Sequence, residues 1–229
     1  QSSRRFLPSW QRTSAFRLEE AVVRPHYFRT ELRRYRTTVE LTPTERAAIV
    51  RMDFPGDEPA RLIVDLFAGE CQVRIDPDKG TISGFTRANS GGVPENYALY
   101  FHIEVDAPAQ GGGAFSDTEV WEGTTIQDGE SLGAFLELDP TRGPVLARIA
   151  TSFISIDQAQ RTMQRELGKR SFEEVLDESE HIWERILNRI HVEGATDDQR
   201  KIFYSCLYRA HLFPRAWYEY DESDDPHHF

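Results

Sequence analysis

The chain has 229 residues and a formal charge of −11, from 27 Lys and Arg against 38 Asp and Glu, a length that suits one large domain or one domain with part of a second. With 39% hydrophobic and 11% aromatic residues it can build a core, which excludes a disordered chain. A pI near 5.1 and the lack of a long basic run exclude a nucleic-acid backbone or an anionic membrane as the main partner, since both reward clustered Lys and Arg.

Up to about residue 154 the apolar residues alternate, the period of strands half buried against a second sheet. Leu62, Val64 and Leu66 share one face, as do Leu99, Phe101, Ile103 and Val105. Further strands are predicted at about 26–35, 37–42, 45–54, 70–76, 81–87, 118–127, 131–138 and 145–153. Turn signals separate them at Phe54-Pro55-Gly56-Asp57, Asp78-Lys79-Gly80 and Gly111-Gly112-Gly113. Many short strands without intervening helices predict a mainly β fold, an antiparallel β-sandwich over residues 16–154.

From Ser155 the period becomes helical, and three segments open on a capping-box pattern: Ser155 with Gln158, Ser171 with Glu174, and Thr196 with Gln199. The middle helix strings Phe172, Val175, Leu176, Ser179, Ile182, Trp183, Ile186, Leu187 and Ile190 on one stripe, so it packs by one face. The third, about 197–212, carries Ile202, Phe203, Cys206, Leu207 and Ala210 and breaks at Phe213-Pro214-Arg215. A polar, turn-like tail follows to Phe229.

Several features invite a local active site, and each has a simpler reading. Asp76-Pro77-Asp78-Lys79-Gly80 lacks the further ligands and distal Glu of a calcium loop and reads as a hairpin turn. Glu19-Glu20 and Glu173-Glu174 are sequence neighbours that need not point together, and the second pair suits the first turn of a helix. Asp221, Asp224, Asp225, His227 and His228 have no fixed ligand spacing and read as a solvated loop. Gly111-Gly112-Gly113 lacks the Lys-Ser/Thr of a phosphate loop and reads as a flexible connection. The two cysteines, Cys71 and Cys206, form neither a disulfide framework nor a zinc pattern. Trp121 and Trp183 sit in core-like patterns, and the segment Thr86 to Glu95 reads as a long hairpin connection.

Three stretches resemble glycoside hydrolase family 92, the α-mannosidases. They are Thr81-Ile82-Ser83-Gly84-Phe85 running on to Tyr97-Ala98-Leu99-Tyr100-Phe101, the strand entry Leu41-Thr42-Pro43-Thr44-Glu45-Arg46-Ala47-Ala48, and Phe203-Tyr204-Ser205-Cys206-Leu207-Tyr208-Arg209-Ala210-His211-Leu212-Phe213-Pro214-Arg215. The third is similar to the first helix of that family's catalytic domain; the first differs from commoner members, which often have Trp where Phe85 stands. The resemblance implies a β-sandwich at 16–154, a helical linker at 155–195 and, from 196 to 229, the start of an α/α toroid. It further implies that sandwich strands precede this chain and that the remainder of its own catalytic domain follows it.

The implied activity is calcium-dependent hydrolysis of terminal α-linked mannose from glycans with inversion, one carboxylic acid protonating the leaving oxygen and a second carboxylate activating water. The resemblance puts the catalytic carboxylates and the calcium ligands outside these residues, and implies a secreted or periplasmic enzyme. Within the chain, Arg215 and Trp217 are the candidate substrate-binding residues, a guanidinium able to hydrogen-bond sugar hydroxyls and an indole able to stack on a sugar at the toroid rim. Two other readings suit a sandwich joined to helices: a disaccharide phosphorylase, and a non-catalytic carbohydrate-binding or structural module.

Overall fold

The computed structural model describes residues 9–56, 59–106, 109–139, 141, 143–212, 216 and 218–227. Its strands are β1 (Val22–Arg24), β2 (Tyr27–Leu32), β3 (Thr37–Pro43), β4 (Ala47–Asp53), β5 (Ala60–Asp65), β6 (Glu70–Asp76), β7 (Thr81–Thr86), β8 (Leu99–Val105), β9 (Gly111–Phe115), β10 (Val120–Glu122), β11 (Ile126–Glu130), β12 (Gly133–Leu138) and β13 (Val145–Ser152). Helices α1 (Ile156–Glu166), α2 (Phe172–Leu187) and α3 (Asp197–His211) follow, then the short strands β14 (Glu219–Tyr220) and β15 (Pro226–His227). A nine-stranded sheet in the order β1-β2-β3-β4-β13-β8-β7-β6-β11 faces a four-stranded sheet, β10-β9-β12-β5. The predicted antiparallel sandwich is the observed architecture.

Period-two burial accounts for the core. Leu66, Phe101, Ile103 and Val105 are buried between the sheets, Leu62 and Val64 pack against them, and Val73, Ile75, Ile82 and Ala147 meet Ala134, Leu136 and Leu138 in the same cluster. The outer face of the large sheet is also covered. Ala47, Ile49 and Ala150 pack there under Met163 and Leu167 at the end of α1 and Phe172 and Val175 of α2, so β4 and β13 are apolar on both faces as strands buried on two sides should be.

Two expectations fail in the small sheet. Gly111-Gly112-Gly113 is no flexible connection but the first part of β9, paired with β10 on one side and β12 on the other. Its glycines answer to close backbone approach: a Cβ on Gly113 would lie 2.3 Å from the Trp121 carbonyl oxygen, and one on Gly112 2.7 Å from that of Phe135. The single strand predicted at 118–127 is two, β10 in the small sheet and β11 at the edge of the large one, with Gly123 (φ 74°) at the crossing. The β6–β7 turn is as predicted, with Asp76 accepting from the Lys79 N–H at 3.1 Å and Gly80 left-handed.

Both later helices open on complete capping boxes, Ser171 with Glu174 and Thr196 with Gln199. At α1 only half forms: Ser155 accepts from the Gln158 N–H, while the Gln158 side chain turns away to the chain beyond α3. The first turn of α2 is locked to the large sheet by Arg51, which forks onto Glu40 at 2.7 and 2.9 Å, pairs with Glu173 and lies 4.2 Å over the Phe172 ring. Tyr27 donates its hydroxyl to Glu40 at 2.5 Å. Burial, followed by that hydrogen bond to a carboxylate, pushes the Tyr27 phenol up from 10.0 to about 12. The folded state therefore holds this proton more tightly than the unfolded chain, and the associated stability is whole below pH 10 and lost as pH rises toward about 12. Urea denaturation midpoints of the wild type should fall across that interval, and Tyr27→Phe should flatten the slope.

Along α2 the stripe is buried only in its first half: Phe172, Val175 and Ser179 are enclosed, whereas Ile182 is 38% exposed. Trp183 instead meets Tyr208 of α3 edge-on, ring centroids 5.0 Å apart. Helix α3 buries none of its residues, and Ile202 is 65% exposed. Phe203 and Leu207 on the same helix are half-buried.

Candidate functional site at the sandwich–helix junction

One end of the sandwich gathers the C-terminal ends of β5, β7 and β13 with the N-terminal ends of β4, β6 and β8, and the chain leaving α3 returns to it. The returning segment is gripped at five places. Arg46, in the β3–β4 turn, donates to the carbonyls of Ala216 (3.3 Å) and Tyr218 (2.7 Å). The carboxylate of Glu219, 2% exposed, accepts the backbone N–H of Phe153 at 2.7 Å, just past the end of β13. Gln158 donates to the Tyr220 carbonyl at 2.7 Å. Arg165 pairs with Asp224 and stacks 4.2 Å over the Tyr220 ring, while Arg161 reaches Glu222 at 3.0 Å.

The predicted turn-like tail is thus a short β14–β15 hairpin seated on α1. Asp221 closes it by accepting from the N–H groups of Ser223 (2.8 Å) and Asp225 (3.0 Å), and these bonds hold its carboxyl below the usual range. Between hairpin and helix lies an open cleft of about 600 Å³ lined by Asp157, Gln160, Gln164, Tyr220 and Glu222.

The strand-entry motif is part of this grip. Thr44 donates to Glu166 at 2.6 Å, the Arg46 N–H donates to the same oxygen at 2.9 Å, and the Arg46 side chain then reaches the tail. One turn thereby ties the end of α1 and the exit from α3 to β4. Replacing Glu219 by Ala would leave the Phe153 N–H unpaired, at a cost of about 1–3 kcal/mol. Hydrogen exchange should then speed at Phe153 and through β14–β15 while strand β8 stays protected, and Glu219→Gln, which keeps an acceptor oxygen, should restore the wild-type pattern.

The 87–97 segment springs from the same end. Arg87 clasps its two ends together, donating to the Tyr97 carbonyl at 3.0 Å and pairing with Glu70 at 3.2 Å, and the Tyr97 ring lies 5.9 Å from that of Phe153. Its middle, from Asn89 to Asn96, is exposed, with Gly91 and Gly92 left-handed. Phe153 therefore joins the loop through its ring and the α3 exit through its backbone.

The acidic pairs serve structure: Glu173 binds Arg51, Glu174 completes the capping box, and Glu20 meets Arg17 at 2.8 Å. Among the described residues no three His, Cys, Asp or Glu side chains come together as a metal site, and no helix is long and apolar enough to cross a membrane. Arg215 and Trp217 lie outside the described residues, as does His228. Trp121 packs against the sandwich core.

A grouping the sequence did not announce is Ser83, His102 and Glu104, on the outer face of β7 and β8. Ser83 Oγ lies 2.8 Å from His102 Nδ1, and His102 Nε2 lies 3.0 Å from Glu104 Oε1. Ser83 is 8% and His102 4% exposed, whereas the Glu104 side chain is 40% exposed, so the three form a polar relay that runs from a buried hydroxyl to a half-exposed carboxylate.

Comparison with known proteins gives this junction its context. The family model for the glycosyl hydrolase family 92 N-terminal domain matches residues 2–152, and that for the family 92 catalytic domain matches 158–229. No protein of curated function matches the sequence. Among solved structures, a family GH92 inverting mannosidase from Bacteroides thetaiotaomicron VPI-5482 is 32% identical over 93% of the chain with a TM-score of 0.88. A family GH92 α-mannosidase from Bacteroides thetaiotaomicron is 22% identical over 94% of it, TM-score 0.79, a likeness of fold. The chain spans 29% and 31% of the length of those two structures. Because the N-terminal match alone takes in 151 of the 229 residues and the helices after it continue into the catalytic-domain match, the chain belongs to glycosyl hydrolase family 92.

Proposed function

We propose that these 229 residues are the sandwich (16–154), helical linker (155–195) and opening catalytic-domain helix (196–229) of an inverting α-mannosidase that removes terminal α-linked mannose from glycans. The observation that carries the reading is the 32% identity over 93% of the chain to an inverting mannosidase. Membership of a hydrolase family weighs against the phosphorylase alternative, and a match to the catalytic-domain model from residue 158 onward weighs against a free-standing binding module.

Inversion needs an acid and a base about 6.5–9.5 Å apart with water between them. The described acidic pairs are engaged in caps and ion pairs, so the reading assigns both catalytic groups to residues outside this chain. Calcium belongs to the same proposal, with its ligands also outside, because the described residues do not fit such a site. The chain's own part is to hold the segment after α3 against the sandwich through Arg46 and Glu219, with Arg215 and Trp217 as the candidate sugar contacts of the reading. The partners of the reading are a mannose-containing glycan and the remainder of the catalytic domain.

The test compares the intact protein with the 229-residue chain on an aryl α-mannoside in calcium-containing buffer, following the product anomer by NMR. The intact protein should release β-mannose first, and the chain alone should show no turnover. Turnover by the chain comparable to the intact protein's would mean that a complete site lies within it, and retention of configuration would defeat the inverting assignment.

A further inference from the structure

Between β5 and β6, Phe67 has φ +60° and is 71% exposed. A bulky side chain in the left-handed region costs of order 1–3 kcal/mol, and such conformations persist only where the surroundings impose them. Here they are imposed. Leu66 donates its N–H to the Leu132 carbonyl at 3.0 Å and accepts the Thr86 hydroxyl at 3.0 Å on its own carbonyl. The same Thr86 oxygen accepts the Ala88 N–H at 3.1 Å, Arg87 donates to the Glu70 carbonyl at 2.9 Å, and a Cβ on Gly69 would meet the Ala88 backbone at 3.2 Å.

Phe67 is thus fixed beside the root of the 87–97 loop, on the end of the sandwich to which the α3 exit is tied. Glycine or asparagine would take this backbone with little strain, and the ring gains little burial to offset its own. Among the described residues, neither the fold nor the core accounts for a phenyl ring here.

We propose that Phe67 is a sugar-stacking platform that takes the C–H face of the pyranose ring next to the terminal mannose. An aromatic face carries partial negative charge that attracts the polarised C–H edge of a ring laid on it. The rigid loop presents that face without an ordering cost on binding. The turn that carries it is joined to the root of the loop by the Gly69–Ala88 approach and the Arg87–Glu70 backbone bond, and the exposed Glu70 carboxylate there is a polar group able to take a sugar hydroxyl. Phe67 is in this way a specificity residue for glycans of two or more sugars. The inference rests on the α-mannosidase reading for the identity of the sugar.

The experiment uses the intact protein with Phe67→Gly and Phe67→Trp, assayed on α-mannotriose and on α-mannosyl fluoride, which has no second ring. For Phe67→Gly the KM for mannotriose should rise about five- to tenfold, the range one lost aromatic contact supplies. The rise for the fluoride should be clearly smaller, Tm should hold or increase as the backbone strain is relieved, and Phe67→Trp should recover the mannotriose KM. An unchanged KM for mannotriose would overturn the proposal. So would a fall in Tm with equal losses on both substrates, which would make Phe67 a packing contact with the rest of the enzyme. If the wild-type intact protein hydrolyses neither compound, the mannosidase reading fails, and saturation-transfer NMR with mannotriose then decides for Phe67. Sugar signals that Phe67→Gly abolishes and Phe67→Trp keeps would uphold the platform, whereas signals unaffected by Phe67→Gly, or no signal with wild type, would sink it.

Discussion

Gly84→Ala should be among the most destabilising single substitutions in the sandwich, lowering stability by about 3 kcal/mol or more, or roughly 10 °C in Tm for a chain of this size. Gly84 lies in β7, third from one edge of the nine-stranded sheet, paired with Val73 on one side and Phe101 on the other. A Cβ there would stand 2.0 Å from the Gln72 carbonyl oxygen and 3.0 Å from the edge of the Phe101 ring. The carbonyl is backbone and cannot swing aside as a side-chain tip would. Relief requires β6 and β7 to move apart, which strains their ladder and opens the core at Val73 and Phe101. Gly92→Ala makes the contrasting control, because a Cβ at Gly92 meets nothing within 4 Å and the change costs only the left-handed strain at φ +78°, about 1–2 kcal/mol. Thermal denaturation of the two variants beside wild type checks the ordering. A Gly84→Ala protein within 1 kcal/mol of wild type, by the criterion for tolerated substitutions, would show that the ladder yields more easily than this packing implies.

The second large effect is expected at Phe172, 1% exposed at the first position of α2. Its ring is met edge-on by Tyr27 at 6.4 Å and capped by the Arg51 guanidinium at 4.2 Å, and it packs with Ala47 and Ile49 of β4 in the outer core. Truncation to alanine removes that burial and leaves a cavity, at about 3–5 kcal/mol. The loss should be local as well as global. Past Ser179 the stripe of α2 is only partly covered, so the helix is held to the sandwich mainly through its first two turns. Phe172→Ala should therefore bring hydrogen exchange in α2 close to that of an open segment while β8 and β13 keep most of their protection. Uniform loss across α2 and β8 would mean that helix and sandwich unfold as one unit.

The Arg51 network adds a pH component to this docking. Arg51 forks onto Glu40 and holds that carboxyl below its ordinary range, outweighing the opposing effect of burial. A depressed carboxyl contributes stability above its unfolded pKa and loses it as pH falls through the folded one, so α2 should loosen in acid as well as above pH 10, where Tyr27 begins to titrate.

What was legible in the sequence follows the reach of the interactions concerned. Alternation at Leu62 to Leu66 and at Leu99 to Val105 requires only that one face of a strand be apolar, and both sets meet the core except Leu99, which stays half-buried at the start of β8. The capping boxes at Ser171 and Thr196 and the Asp76–Lys79 turn close within three residues, so the residues that make each bond stand together in the chain. The family resemblance of the strand entry and of α3 was likewise readable from contiguous residues.

Tertiary structure decided what depends on partners far away in sequence. A run of three glycines is punctuation by local rules, yet Gly112 and Gly113 are strand residues because the carbonyls of Phe135 and Trp121 leave no room for a Cβ, a fact that resides in the neighbouring strands. Gly123 is the local break between β10 and β11, but that the two join different sheets is decided by their partners. Gln158 gave up its half of a capping box for the Tyr220 carbonyl, and Arg46 reached Tyr218 across 172 positions. Phe67 directly follows the alternating Leu62, Val64 and Leu66, and the pattern says nothing of its left-handed backbone and solvent-facing ring, which stand among the hydrogen bonds of Leu66, Thr86 and Arg87. Period and capping specify each element by itself, whereas the junction exists only because sheet closure brings the ends of β4, β7 and β13 to one place and the exit from α3 satisfies its polar groups there.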